Sequence, residues 1–267
     1  MGGVKMRDLQ KRLEAAIEIS QIVGKFITSG AIPKELISFK KDETDPVTWF
    51  DEEAQRRIID YLQLRFPSDS FYAEESGVRT KDADSVWVID PIDGTVNYIA
   101  EIPFYCVSIA FAKEGRPVLG VVYHPAVNET FYACKGLGAF LNGKKLSVSK
   151  ISNPRESILT LSHESGNTHK LVRILERKIR RIRMYGTAAL QGAYVAAGRT
   201  QAYLTFNANI WDVAAAKVLV EEAGGMATDW KGQNLDWPEG QLLFSNGLFH
   251  KTILHWIEES KAREAAP

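Results

Sequence analysis

The 267 residues are 45% hydrophobic and 25% charged, the balance of an ordinary globular chain with enough apolar mass for one large layered domain or two half-sized units. The 33 basic residues equal the 33 acidic ones, so no net field draws the chain to nucleic acid or anionic lipid. No stretch approaches the roughly 18–20 apolar residues of a spanning helix and the N-terminus lacks the apolar run of a signal peptide, so a cytoplasmic protein with no membrane partner is expected. Cys106 and Cys134 lie in separate apolar runs without metal-ligand spacing and read as small buried hydrophobes. The five histidines form no metal-binding pattern; His163, among Ser, Glu and Gly, reads as a loop histidine.

In chain order, Leu9, Leu13, Ala16, Ile17, Ser20, Val23 and Ile27 recur at helical spacing, predicting an amphipathic helix from about Met6 to Ser29 with Gly30 as its stop. The acid-rich stretch from Phe39 to Asp51 precedes a second periodic segment, Glu52 to Phe66. Asp51 therefore stands at or near a helix start, where capping explains it as readily as catalysis, and Thr48 reads as a loop hydroxyl. Ser70 to Ala73 is a short strand running into Glu74-Glu75-Ser76-Gly77, adjacent acids that taken alone read as solvated.

Val86-Trp87-Val88-Ile89 suits a buried strand that ends abruptly in Asp90-Pro91-Ile92-Asp93-Gly94-Thr95. Pro91 cannot donate a ladder hydrogen bond and is expected to help end the strand after Asp90. Asp93 and Thr95 are favoured capping residues, and Gly94 permits close backbone approach. By itself this peptide is a turn with a cap, or a metal site with amides beyond Gly94 that meet a phosphate; its own residues leave both readings open.

Phe104 to Lys113 and Pro117 to Tyr123 read as a hairpin, Thr130 to Cys134 as another strand, and Ala139 to Val148 as two strands around Asn142-Gly143. A cluster of Lys, Ser, Asn and Pro at Ser149 to Arg155 marks a boundary between an N-terminal half, 1–149, with helices and an antiparallel sheet, and a C-terminal half, 150–267. That second half alternates strands (Ser157 to Ser162, Arg181 to Tyr185, Gln201 to Phe206, Met226 to Asp229, Leu242 to Ser245) with helices (Thr168 to Arg177, Ala189 to Gly198, Asp212 to Ala223, Phe249 to Arg263), predicting a mixed α/β layer. The cations from Lys170 to Arg183 are interleaved with apolar residues and read as a solvated helix face running into a strand, so nucleic acid is not expected as a partner. A regulatory protein that contacts RNA or protein through this face is the rival from another functional class.

Glu74, Asp90, Asp93 and Asp212 share one property: each stands at the end of a predicted element, after apolar residues. If they converge, a set of hard oxygen ligands without Cys or His points to Mg²⁺ rather than Zn²⁺ or copper, and two or more such ions suit hydrolysis of a phosphate ester. Asp51 and Thr95 are the available base and hydroxyl to orient water.

Asp90-Pro91-Ile92-Asp93-Gly94-Thr95-Val96-Asn97-Tyr98 resembles the first signature of the inositol monophosphatase family, and Trp211-Asp212-Val213-Ala214-Ala215-Ala216 through Gly225 resembles the second. Asp45-Pro46-Val47-Thr48-Trp49-Phe50-Asp51, Ala73-Glu74-Glu75-Ser76 and Gly186-Thr187-Ala188-Ala189 are similar to three intermediate motifs, so the resemblance spans nearly the whole chain. It implies an αβαβα sandwich, lithium-sensitive hydrolysis of a small phosphorylated substrate with two or three Mg²⁺ ions, and a homodimer. Carried over by position, Glu74, Asp90, the Ile92 carbonyl, Asp93 and Asp212 hold metal, Glu75 supports them, and Asp51, Thr95 and Glu74 serve catalysis. Gly94 and Thr95 meet phosphate, and Gly186, Thr187 and Ala188 face the sugar or inositol ring.

One position departs from the pattern. Thr205 stands where animal members carry a ring-binding glutamate, and a neutral side chain cannot accept the same charge-assisted hydrogen bonds. Asn207 and Asn209 are candidate neutral contacts. Inositol phosphate therefore competes as expected substrate with fructose 1,6-bisphosphate, NADP and other nucleotide phosphates.

Overall fold

The computed structural model describes residues 6–29, 33–40, 46–76, 84–163 and 167–262. Gly30, Asp45, Gly77 and Arg263, each named in a motif or as an expected helix end, lie outside the described residues. The chain opens with helix α1 (Met6–Ile27), a two-stranded ribbon of β1 (Ile37–Phe39) and β2 (Pro46–Thr48), and α2 (Trp49–Arg65). Then follow β3 (Ser70–Ala73), β4 (Ser85–Asp93), the short α3 (Thr95–Ile99), β5 (Cys106–Lys113), β6 (Arg116–His124), β7 (Glu129–Cys134), β8 (Gly138–Leu141) and β9 (Lys144–Lys145). These strands form one seven-stranded sheet in the order β3-β4-β5-β6-β7-β8-β9. It is antiparallel from β4 onward, as expected, while β3 runs parallel to β4.

The rest comprises β10 (Ile158–Leu161), α4 (Asn167–Leu175), β11 (Arg181–Arg183), α5 (Ala188–Ala196), β12 (Ala202–Ala208), α6 (Ile210–Glu222), β13 (Met226–Asp229), β14 (Gly240–Ser245) and α7 (His250–Ala262). Its five strands form a mixed sheet ordered β11-β10-β12-β14-β13, parallel from β11 to β12 and antiparallel beyond.

Layering follows from which faces are apolar. Trp87 and Ile89 of β4 pack with Ile19, Val23, Ile58 and Leu62 of α1 and α2 on the outer face of the large sheet. Val86 and Val88 point the other way, into a core shared with Ala189, Ala193, Val213, Val218 and the inner residues Tyr203 and Phe244 of the small sheet. Helices α5 and α6 thus fill the space between the sheets. Helices α4 and α7 cover the remaining face through Leu171, Ile174, Ile253 and Trp256 against Leu159, Leu161 and Leu243. The result is an αβαβα stack in which β4 is buried on both faces, which explains its unbroken apolar run. Alanines let α6 lie close to the large sheet: a Cβ on Gly120 of β6 would stand 2.6 Å from Ala215 Cα.

Three local expectations are corrected. Strand β4 continues through Pro91 to Asp93 instead of ending at Asp90, because the ladder shifts register there: Asp90 pairs with Ser108 and Asp93 with Cys106. Three residues on one strand span two on the other, so a bulge absorbs the proline. Helix α3 is capped by Gly94 in the left-handed region at φ 96°, not by Asp93. Asp51 is not the N-cap of α2: Thr48 holds that position, and Asp51 stands three residues later and bonds back to the capping backbone, as Asp212 does behind Asn209. Along Lys170 to Arg183, Leu171, Ile174, Leu175 and Ile179 are buried while Arg173, Arg177, Arg180, Arg181 and Arg183 are exposed, the solvated face that the pattern predicts.

Candidate active site

Alternation along β4 turns Asp90 toward the middle layer, on the same face as Val86 and Val88. Simple alternation would send Asp93 to the opposite face; the bulge reverses its parity and brings it to the same side. There the first turn of α5 receives it: the amides of Ala188 and Ala189 donate to Asp93 Oδ1 at 3.0 Å and Oδ2 at 2.7 Å. The Cys106 thiol, across the ladder, lies 3.5 Å from Oδ2. Asp212 enters from the first turn of α6 with Oδ2 held by the Asn209 amide at 2.8 Å. Glu74 follows β3, its own amide bonded to the Ile89 carbonyl at 3.1 Å.

The four acids line one cavity of about 340 Å³ together with Ile92, Gly94, Thr95, Gly186, Thr187, Ala188 and Thr205, all expected from the sequence. Ser162, His163, Gln191, Tyr203, Asn207 and Ala208 complete the wall. Asp51 and Glu75 do not line it. Asp51 lies behind Thr95, whose hydroxyl is 3.2 Å from Asp51 Oδ1 and 3.1 Å from the Ile92 carbonyl. Oδ2 of Asp51 is taken by the Thr48 amide at 2.8 Å and hydroxyl at 2.6 Å. Glu75 is fixed by Lys40 and, through its amide, by Gln55 Oε1 at 2.9 Å. Gly94 is required here by conformation and by space, since a Cβ would stand 2.7 Å from Thr187 Cγ2. Asn97 Nδ2 bridges the carbonyls of Phe104, at 2.8 Å, and Tyr185, at 2.6 Å, tying the first signature to the loop before Gly186.

The electrostatics are those of acids crowded out of water. Burial, followed by the charges of Glu74, Asp93 and Asp212, pushes the Asp90 carboxyl well above its ordinary range. Burial and the charges of Asp93 and Glu74 do the same to Asp212. Burial lifts Asp93 to about 6 against the pull of the two α5 amides, and lifts Asp51 to about 6 against its Thr48 hydrogen bonds. Glu75 rises to about 7, again by burial, with Lys40 opposing. The Lys40 ammonium lies 2.7 Å from Glu74 Oε1 and 2.8 Å from Glu75 Oε1, a cation drawn to the edge of the cluster. Such a donor set of crowded hard carboxylate oxygens fits Mg²⁺.

Lys40, Ser162, Gln191 and Tyr203 were not singled out from the sequence, and no local pattern identifies them. His163 is an exposed loop histidine, as expected, yet it reaches the cavity. Of the two candidate asparagines, Asn207 lines the wall while Asn209 serves as a helix cap.

Residues 8–262 match the model of the inositol monophosphatase family. Over 248 residues the chain is 39% identical to a fructose-1,6-bisphosphatase/inositol-1-monophosphatase of Thermotoga maritima, covering 93% of this chain and 96% of the relative. It is 34% identical over 254 residues to the Nus factor SuhB of Pasteurella multocida, covering 92% and 95%. An IMPase structure from Thermotoga maritima superposes with a TM-score of 0.89 at 37% identity, over 95% of this chain and 99% of that one. The chain belongs to the inositol monophosphatase family of phosphoric monoester hydrolases.

Proposed function

We propose that the protein hydrolyses a small phosphomonoester, as an inositol monophosphatase-like enzyme, using Mg²⁺ held by Glu74, Asp90, the Ile92 carbonyl, Asp93 and Asp212. The observation that carries this reading is the convergence of four acids on one cavity beside the Thr95–Asp51 pair. Two or three Mg²⁺ ions, when bound, would neutralise phosphate and leaving-group charge and acidify water. The chain's own part is positioning. Thr95 Oγ1, fixed between Asp51 Oδ1 and the Ile92 carbonyl, orients water at the cavity wall, and Asp51, the carboxylate behind it, draws the proton through that hydroxyl. The Gly94 and Thr95 amides at the start of α3 hold phosphate oxygens, Glu74 stands at the water side, and Glu75 with Lys40 fixes its approach. Gly186, Thr187, Ala188 and Thr205 face the leaving group.

Lithium inhibition and a homodimer belong to the same proposal and rest on the family resemblance; a cytoplasmic location, expected from the sequence, is proposed with them. Among the described residues no helix is long and apolar enough to cross a membrane. The test is phosphate release from p-nitrophenyl phosphate, inositol 1-phosphate, fructose 1,6-bisphosphate and NADP, with Mg²⁺ and with a chelator. Mg²⁺-dependent release from at least one is expected; none from any would overturn the reading.

A further inference from the structure

Helix α5 starts without help from its own cap: Thr187 holds the N-cap position, and its side chain makes no hydrogen bond to the helix backbone. The amides left free in the first turn meet the ladder between β4 and β5 instead. Those of Ala188 and Ala189 donate to Asp93 Oδ1 and Oδ2, and that of Leu190 donates to the sulfur of Cys106. Cys106 stands in register with Asp93 and is fully buried. Its thiol donates in turn to Asp93 Oδ2 at 3.5 Å, so strand, strand and helix meet at one carboxylate. Buried beside that carboxylate, the thiol keeps its proton and stays a donor.

A lone-pair count separates the two oxygens of Asp93. A carboxylate offers about four acceptor positions, two on each oxygen. Oδ2 accepts from the Ala189 amide and the Cys106 thiol and is filled. Oδ1 accepts from the Ala188 amide alone and keeps one position. The difference bears on which cation fits. At Mg²⁺ bond lengths the edge of an octahedron is about 2.9 Å, wider than the roughly 2.2 Å between the oxygens of one carboxylate, so a carboxylate meets Mg²⁺ best through a single oxygen. Ca²⁺, with longer bonds and up to about eight ligands, readily takes both.

We propose that Cys106 is a positioning residue that favours Mg²⁺ over Ca²⁺: by occupying Asp93 Oδ2 it leaves Oδ1 as the one oxygen that Asp93 presents to a cation. This rests on the metal-site reading above. The thiol lies across the ladder behind Asp93 and acts only through that carboxylate. Removing its proton frees a position on Oδ2, and the gain goes to the cation that can use two oxygens.

The experiment titrates Mg²⁺ and Ca²⁺ separately, by calorimetry at constant ionic strength and without substrate, into wild type, Cys106→Ala, Cys106→Val, Cys106→Ser and Cys134→Ala. In the alanine and valine variants, which donate nothing, the ratio of the Ca²⁺ Kd to the Mg²⁺ Kd falls at least about fivefold, mostly through tighter Ca²⁺ binding. Alanine leaves a small void and valine refills it, so a folding defect in one leaves the other to decide. Cys106→Ser keeps a donor and stays within about twofold of wild type. Cys134, equally buried but packed in the outer core, sets the baseline for loss of a cysteine, and Cys134→Ala leaves the ratio unchanged. An unchanged ratio in a folded alanine or valine variant overturns the proposal. An equal fall in Cys106→Ser, which would assign the effect to the bulk of sulfur, or in Cys134→Ala, which would assign it to packing, also overturns it. So does failure of both donor-free variants to fold, which would give Cys106 a role in stability alone. These outcomes leave the metal-site reading standing; wild type that binds neither cation overturns that reading as well.

Discussion

The Asp93 carboxylate is held by the main chain of Ala189, whose amide donates to Oδ2 at 2.7 Å. An acid of the large sheet is thereby aimed by the first turn of a helix that follows it by more than ninety residues, and the two halves of the chain share one carboxylate. Asp93→Asn keeps the shape, removes the charge and replaces one acceptor with a donor facing an amide. Calorimetric Mg²⁺ affinity is expected to fall at least about tenfold and turnover of p-nitrophenyl phosphate by about 10²-fold or more, while the fold persists by circular dichroism. Wild-type turnover would remove Asp93 from the reaction.

Among the described residues, Asp51 meets the cavity wall through Thr95, so the two are expected to act as a unit. Asp51→Asn and Thr95→Ala each lower kcat by about 10²–10⁴-fold, and the double variant is no worse than the weaker single one. Multiplicative losses in single-turnover assays would show two independent roles.

Gly94→Ala forces a Cβ onto a residue at φ 96° and against Thr187 Cγ2. A stability loss of about 1–3 kcal/mol in urea titration is expected, with a raised KM because the phosphate end and the Thr187 wall are pushed apart. An unchanged KM would separate the close approach from substrate binding.

Far from the cavity, Arg12 reaches Asp69 through two hydrogen bonds of 3.0 and 2.9 Å and lies over the rings of Phe66 and Phe111, while Trp87 Nε1 donates to the same Asp69 at 3.0 Å. Arg12→Ala leaves the Asp69 carboxylate buried without its cation. It should cost about 3–5 kcal/mol in denaturant titration, with kcat of the folded protein within about twofold of wild type.

His250 is buried, with Nδ1 2.7 Å from the Ser245 hydroxyl and Nε2 2.9 Å from that of Thr228. Burial drops its imidazole from 6.5 to about 4. Between those values the unfolded chain binds a proton that the folded one refuses, so this contribution to stability is present above about pH 6.5 and is lost as pH falls toward 4. The loss is on the order of 3 kcal/mol. His250→Gln should flatten the dependence of unfolding free energy on pH across that window; an unchanged slope would assign the acid sensitivity to other groups.

Local chemistry made much of this legible in the sequence. Helical periodicity outlines α1, Asn142-Gly143 joins β8 to β9, and the apolar run before Asp90 marks a strand buried on both faces. The Asp90–Thr95 and Asp212 motifs, with their resemblance to a phosphatase family, also singled out residues that the fold brings to one cavity. All of these signals arise within a few turns or strand repeats of the chain, where backbone geometry and nearest neighbours dominate. What only the tertiary structure decided depends on register and layer packing between distant segments. The bulge against Cys106 selects the face of Asp93, α5 supplies its amides, Lys40 meets Glu74, and the parallel pairing of β10 with β12 brings Ser162 to Thr205. No local pattern encodes such meetings, because each is fixed by how whole layers stack to bury their apolar faces.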